Sequence, residues 1–358
     1  MGKKRFSRRE FVKGAGIVGA GLILSPSLIG CGNGKKVADP AKDPVRITWA
    51  VSEQKELSHI HELGCWEFAE RIQNKSNGEI VVDIYPGGQL GEQRVALEKT
   101  QMGQVQACQH SSANAAQFVP EYNLLDLPYL VKDRADWEKL HDTGVLEDTL
   151  GKAAEKRGFK ILFFAPAGWR VLFLGRRVQN NVRVPDDLQG LKIRTTASVA
   201  EQRVFEMCGA APTPIPWGEC YTAIQQGVAD GLNVGAAPTY NNRIHEVCRF
   251  VSELNLYLSL DMHSMNLDWY NSLPRDYQEL IDTTAREITS WQLDRQLNEQ
   301  LPKINQMMLD DGVEEIYTPT PEEYKIWFDK VGHHLPVWDS LKQDWGKDIY
   351  DRMAKTVS

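Results

Sequence analysis

The stretch VPDDLQGLKIRTTAS, residues 184–198, contains LKIRT (191–195), which reads as a strand with Arg194 close to its end. Upstream, FKILFFAP (159–166) is a second strand signal. Downstream, ECYTAIQQGVADG (219–231) reads as a helix running into a Gly-containing turn. The same alternation extends towards the N-terminus. VRITWAV (45–51) is a buried-strand signal, and NGEIVVDIYPGG (77–88) is a strand between turn signals. Over 57–76, Leu63, Trp66, Ala69 and Ile72 recur every three positions with Phe68 beside them, which is a helical stripe. EQRVALEKTQMG (92–103) reads as a helix stopped by Gly103. Strands alternating with helices from 45 to about 250 predict an α/β protein with largely parallel sheets.

The last third differs. Residues 275–312 carry a long helical pattern broken or kinked at Pro302. Residues 320–356 are again helical, with Trp327, Trp338 and Trp345 as expected packing residues. No internal repeat or low-complexity block is present. The expectation is two α/β lobes braced by long C-terminal helices.

The N-terminus, SRREFVKGAGIVGAGLILSPSLIGCG (7–32), has a different job. Lys3, Lys4, Arg5, Arg8, Arg9 and Lys13 precede an apolar stretch too short and Gly-rich for a convincing membrane span. Arg8-Arg9 followed by Phe11 and Lys13 fits the twin-arginine export pattern. Leu28-Ile29-Gly30 before Cys31 resembles a bacterial lipoprotein cleavage box. Residues 1–30 are therefore expected to be removed and Cys31 lipidated, with a plain uncut membrane anchor as the alternative. Either way the protein works outside the cytoplasmic membrane. A polar tether follows over 31–43. Removal of 1–30 leaves 328 of 358 residues, enough for two domains.

The removed segment holds six basic residues and one acidic residue, so the formal charge goes from −7 to about −12. Such an acidic body is a poor nucleic-acid binder. Membrane contact is expected only through the lipid on Cys31. Five cysteines remain, Cys65, Cys108, Cys208, Cys220 and Cys248, with no CxxC and no metal-type spacing. They read as buried small apolar residues, Cys208–Cys220 being the one disulfide to check.

Four segments bear a family resemblance. YPGGQLGEQRVALEKTQMGQV (85–105), FVPEYNLLDLPYLVKD (118–133), the opening stretch at 184–198, and GAAPTPIPWGECYTAIQQGVADGLN (209–233) resemble the solute receptors of TRAP transporters, the tripartite ATP-independent periplasmic carriers. The resemblance implies a two-lobed periplasmic-binding-protein (Venus-flytrap) fold closing on a ligand in the interlobe cleft. It places lobe I at 44–168 plus 259–300 and lobe II at 169–258 plus 301–358. It implies a binding protein rather than an enzyme, no cofactor, and a membrane-embedded permease as partner.

By the same resemblance, Arg194 supplies the guanidinium that grips the ligand carboxylate. Its planar fork offers two parallel N–H donors to two oxygens, which Lys cannot reproduce. Arg170, in AGWRVLF, matches a second arginine position, and Trp217, in PIPWGECY, an aromatic position along the ligand. Trp169 is a weaker candidate of the same type. Compared with sialic-acid-binding members, Ser111 replaces an acidic residue, Asn114 an arginine, and Val234 an asparagine, with Asn233 just before it. These changes point away from a polyhydroxylated ligand and towards a smaller monocarboxylate, or one with an apolar or aromatic tail.

His59 and His61 alternate as HxH but have no third ligand at a fixed distance, so no metal site is expected. His333-His334 reads as an exposed pair. GxSxG, HExxH, phosphate-loop and Rossmann signatures are all missing. Two alternatives stay open on sequence alone. A sensor would present the ligand to a signalling receptor. A twin-arginine-exported enzyme would need a cofactor for which no motif is found.

Overall fold

A computed structural model describes residues 43–54, 64–295, 299 and 301–358. The export signal, Cys31, most of the tether, His59 and His61 lie outside the described residues. The strands are β1 (Val45–Ala50), β2 (Ile80–Tyr85), β3 (Ala107–Ser111), β4 (Phe159–Gly175), β5 (Lys192–Thr195), β6 (Ala211–Pro214), β7 (Gly231–Gly235), β8 (Cys248–Ser252), β9 (Leu258–Asn266) and β10 (Glu315–Tyr317). Their order along the sheet is β2-β1-β3-β9-β4-β7-β5-β6, with β8 also paired to β4 and β10 to β8.

The sheet is mixed rather than largely parallel. β1 pairs β2 and β3 in parallel, and β5 pairs β6 and β7 in parallel. The two parallel sets are joined by antiparallel strands: β9 pairs β3 and β4, and β4 pairs β7 and β8. The alternation of strand and helix marks only the parallel crossovers, which need a helix to return the chain. β4 and β9 are long central strands that carry the chain between the two halves, and no local pattern announces that.

β4 also runs well past the expected end at Pro166. Gly168 lies inside it with φ +86°, where the pairing with β9 shifts register between Pro166 and Trp169. A Cβ there would sit 2.7 Å from Leu301 Cδ1, so both backbone angle and space call for glycine. One strand thus serves both halves, pairing with β9 first and with β7 and β8 after the glycine.

Each half has its own apolar layer. Ile47, Trp49, Phe68, Ile72, Phe163, Ile281 and Ile288 pack between the first half and the helices Gly64–Lys75 and Arg275–Asp294. Phe173, Ile224, Leu232, Val251, Ile304 and Met308 fill the second. Of the expected break at Pro302, the structure describes one helix over Arg275–Asp294 and a second over Leu301–Asp310 with Pro302 in its first turn; residues 296–298 and 300 lie outside the described residues. Helix Pro321–Val331 has a full capping box, Thr320 with Glu323, and proline at its first turn. Helix Asp339–Val357 packs on the turn Pro120–Asp126 and on helix Arg134–Asp142. Trp327, Trp338 and Trp345 are buried, as their apolar spacing predicts.

The cysteines are as expected, and one histidine reading changes. Cys208 and Cys220 are both free, as are Cys65, Cys108 and Cys248. All five are buried, and burial pushes the Cys108, Cys208 and Cys248 thiols up to about 12. His333 is half-buried rather than exposed. Its Nδ1 lies 2.9 Å from the Tyr350 hydroxyl, and burial pushes its pKa down to about 4. His334 alone is exposed, stacked on Phe328 at 4.3 Å. No helix among the described residues is long and apolar enough to cross a membrane.

Candidate functional site

Where the parallel strands of the two halves end, a cavity opens with about 390 Å³ of atom-free space, its mouth included. This is where ligands collect in α/β sheets, because side chains beyond the carboxyl ends of strands converge on open space. Ser111 ends β3, Thr196 follows β5, and Val234 is the penultimate residue of β7. Arg170 comes from β4 just beyond Gly168, directly opposite Gly235 of β7.

Arg194 is 2% exposed. Its Nε donates to the Ile215 carbonyl at 2.9 Å, and its guanidinium carbon lies 5.8 Å from the centre of the Trp217 ring. Nη1 and Nη2 make no hydrogen bond or ion pair to any described residue. The Nε bond and the indole fix the plane of the guanidinium and leave its fork to the cavity. A buried cation in that state is costly unless an anion meets it.

Arg170, equally buried, is in a different condition. Its Nη1 donates to Glu201 Oε1 at 3.1 Å and to the Asn233 carbonyl at 3.3 Å, and its guanidinium lies 5.3 Å over Tyr257. Burial works against its charge, but Glu201, Tyr257, Asp126 and Asp261 hold it firmly protonated. Glu201 is 0% exposed and also accepts from the Thr196 amide at 2.7 Å and from its hydroxyl. Ser198 caps the helix Val199–Met207 by accepting from the Glu201 amide, which orients this carboxylate. Behind the pair, burial pushes the Asp126 carboxyl up to about 7, against the pull of Arg170.

The other expected residues separate. Trp217 and Val234 line the cavity. So do Ser111 and Asn114, joined through Gln93, whose Oε1 accepts from the Ser111 amide at 2.9 Å and from Asn114 Nδ2 at 2.8 Å. Asn233 does not reach the cavity lining. It is fully buried one layer back, donating through Nδ2 to the Tyr257 hydroxyl at 2.8 Å. Trp169 turns away and donates to the Val131 carbonyl.

Sequence reasoning missed Glu53, Gln93, Thr196, Pro238, Ser259 and Asp261 on the lining. Asp261 had a readable signal. It is the one charged side chain inside LSLDMHSMN, a strand buried along its whole length, and a buried carboxylate needs a purpose. Gln109 Nε2 donates to it at 3.1 Å. Glu53 had no such signal, and its Oε2 accepts from Asn242 at 2.7 Å. Among the described residues the lining has no His or Cys, and no group of three or more His, Cys, Asp or Glu could hold a metal ion. The arrangement suits holding a small anion by a preset guanidinium.

Comparisons with known proteins give the family of the chain. The family model of the bacterial extracellular solute-binding proteins, family 7, matches residues 51–343. The 2,3-diketo-L-gulonate-binding periplasmic protein YiaO of Escherichia coli is 29% identical over 295 residues, covering 82% of this chain and 86% of that one. The C4-dicarboxylate-binding periplasmic protein DctP of Rhodobacter capsulatus is 28% identical, covering 80% and 83%. Among solved structures, a TRAP periplasmic solute-binding protein of Sulfurospirillum deleyianum with bound succinate superposes with a TM-score of 0.78 at 24% identity, covering 88% of this chain and all of that one. The chain belongs to the family 7 bacterial extracellular solute-binding proteins, the periplasmic solute receptors of TRAP transporters.

Proposed function

We propose that this receptor captures a small monocarboxylate, or one with an apolar or aromatic tail, between its lobes and delivers it to the membrane permease. The observation that carries the reading is Arg194: buried, planar, held by Ile215 and Trp217, and with its two terminal nitrogens unengaged by described residues. Two charge-assisted bonds of about 1.5–3 kcal/mol each are available there to a carboxylate. Arg170 contributes a second, weaker grip through Nη2, its charge being already balanced by Glu201. Trp217 and Val234 supply an apolar flank. Ser111 and Asn114 add neutral polar contacts, with Asn233 supporting Arg170 from behind.

In this reading lobe I is 44–168 plus 259–300 and lobe II is 169–258 plus 301–358, with the C-terminal helices as braces. Cys31 is lipidated and keeps the receptor beside its membrane partner. Organic acids tested by thermal shift, with Arg194→Ala alongside, check the ligand reading. Stabilisation by an acid that disappears in the variant supports it, and an equal response in both removes Arg194 from the role. Cys31→Ala tests the anchor: the receptor should leave the membrane fraction on cell lysis.

A further inference from the structure

Beside the cavity, two glutamates of the first half reach partners in the second. Glu53, in the turn after β1, accepts through Oε2 from Asn242 Nδ2 at 2.7 Å. Asn242 follows the helix Ala236–Asn241, which succeeds β7, and the same Nδ2 donates to the Pro238 carbonyl at 2.9 Å. Glu92, just before the helix Gln93–Gln101, accepts from the backbone amide of Gly218, in the turn after β6. A Cβ at Gly218 would lie 2.8 Å from Glu92 Oε1, and one at Gly88 3.0 Å from the same oxygen. Two glycines, one from each half, leave the room that this carboxylate fills.

Neither glutamate stands on β4 or β9, the strands that run between the halves. A third contact across the halves is placed differently. The Val199 amide and the Ser198 hydroxyl donate to Asn123 Oδ1 at 3.0 and 3.3 Å. Asn123 shares its turn with Asp126, which is close to Arg170 of β4. Next to a connecting strand a hinge motion displaces atoms least, whereas contacts away from it must break when the halves separate. Hydrogen bonds to an ionised carboxylate are the stronger kind, so breaking them adds to the cost of opening. Asn242 and Gly218 stand outside the cavity lining but adjoin it: Asn242 holds the Pro238 carbonyl, and Gly218 follows Trp217. A ligand that seats Pro238 and Trp217 therefore seats both donors.

On the receptor reading above, we infer that Glu53–Asn242 and Glu92–Gly218 are latches of the closed form, through which Asn242, Glu92 and Gly218 set affinity without touching the ligand. Apparent affinity scales with the fraction of receptor in the binding-competent state. Each latch raises that fraction alike for every acid. It multiplies all affinities by one factor and leaves their ratios unchanged, whereas a residue of the cavity wall changes the ratios.

The test is titration calorimetry on the full chain with butanoate, hexanoate and phenylacetate, three carboxylates with different tails. Asn242→Ala removes one latch and Glu92→Ala the other. Each should weaken the acids that bind the parent by one common factor of about tenfold, and the double variant by about a hundredfold. Removing a carboxylate near an anion site strengthens binding by charge alone, so a loss in Glu92→Ala has no electrostatic origin. Gly218→Ala, whose methyl would meet Glu92 Oε1, should act in the same direction as Glu92→Ala. Ligand-free melting temperatures show whether each variant folds, and Gly218→Ala stands in for Glu92→Ala if the latter does not. Unchanged affinities in the single variants overturn the inference and leave the receptor reading in place. Losses that differ from acid to acid put these residues on the cavity wall and overturn it as well. If none of the three acids binds the parent, the monocarboxylate reading and the inference resting on it fall together.

Discussion

Arg170 and Arg194 are the same residue type at the same burial, 2% exposed, on strands of the same sheet, and both line one cavity. Their surroundings differ completely. Arg170 meets a fully buried glutamate, a carbonyl and an aromatic ring. Arg194 meets a carbonyl through Nε, an indole, and open space. The first is a structural ion pair that holds the cavity wall. The second is the group that, on the proposed reading, takes the ligand's carboxylate. Burial of a charge therefore does not by itself say what the charge is for; the partner of each terminal nitrogen does.

The largest effect should come from breaking the structural side. Arg170→Ala leaves Glu201 buried without its cation, and such losses cost about 3–5 kcal/mol. Chemical denaturation should show this, and adding Glu201→Gln to the variant should recover part of it. Arg194→Ala should cost only about 1 kcal/mol of ligand-free stability, one hydrogen bond's worth. If the two alanine variants are equally destabilised, the distinction between the arginines fails.

Ligand affinity should reverse the order. Arg194→Ala should weaken binding of the cognate acid by about 3 kcal/mol, two charge-assisted bonds at the low end of their range. Arg194→Lys should fall between, since it keeps the charge and loses the fork. Titration calorimetry separates these outcomes.

A third effect lies in pH. The Asp126 carboxyl takes up a proton near pH 7 in the folded protein, against about 4 when unfolded. Between those values the folded state binds more protons, so this residue's contribution to stability falls as pH rises from about 4 to 7. Asp126→Asn lacks that fall. Its stability relative to the parent should improve across the window, by on the order of 4 kcal/mol, and level off above it. A pH-independent difference would show that Arg170 keeps Asp126 ionised throughout.

The smallest expected effect is at Trp217. Trp217→Leu keeps apolar bulk but loses the flat face over Arg194, and should weaken ligand binding by about 1 kcal/mol. An unchanged affinity would mean that the Ile215 carbonyl alone positions the fork.

Much of the site was legible because its residues sit in strong local patterns. Arg194 follows a clear strand signal, and Trp217 precedes a helix start in a Pro-rich turn. Both line the cavity. Asn233 and Trp169 were misleading for one reason: each adjoins a lining residue in sequence, and neighbours on a strand point to opposite faces. Val234 and Arg170 face the cavity, while Asn233 and Trp169 face away from it.

By itself, the sequence determined the chain's class: strands alternating with helices, three buried C-terminal tryptophans, and a forked cation at a strand end. These follow from short-range periodicity and side-chain chemistry, which need no knowledge of distant residues. Only the tertiary structure decided which charges meet. Glu201 lies 31 positions from Arg170, and Asp261 lies 152 from Gln109. β4 and β9 run antiparallel through the middle of an otherwise parallel design. No local pattern encodes such pairings, because the energy of a buried charge depends on what the fold brings within a few ångströms of it.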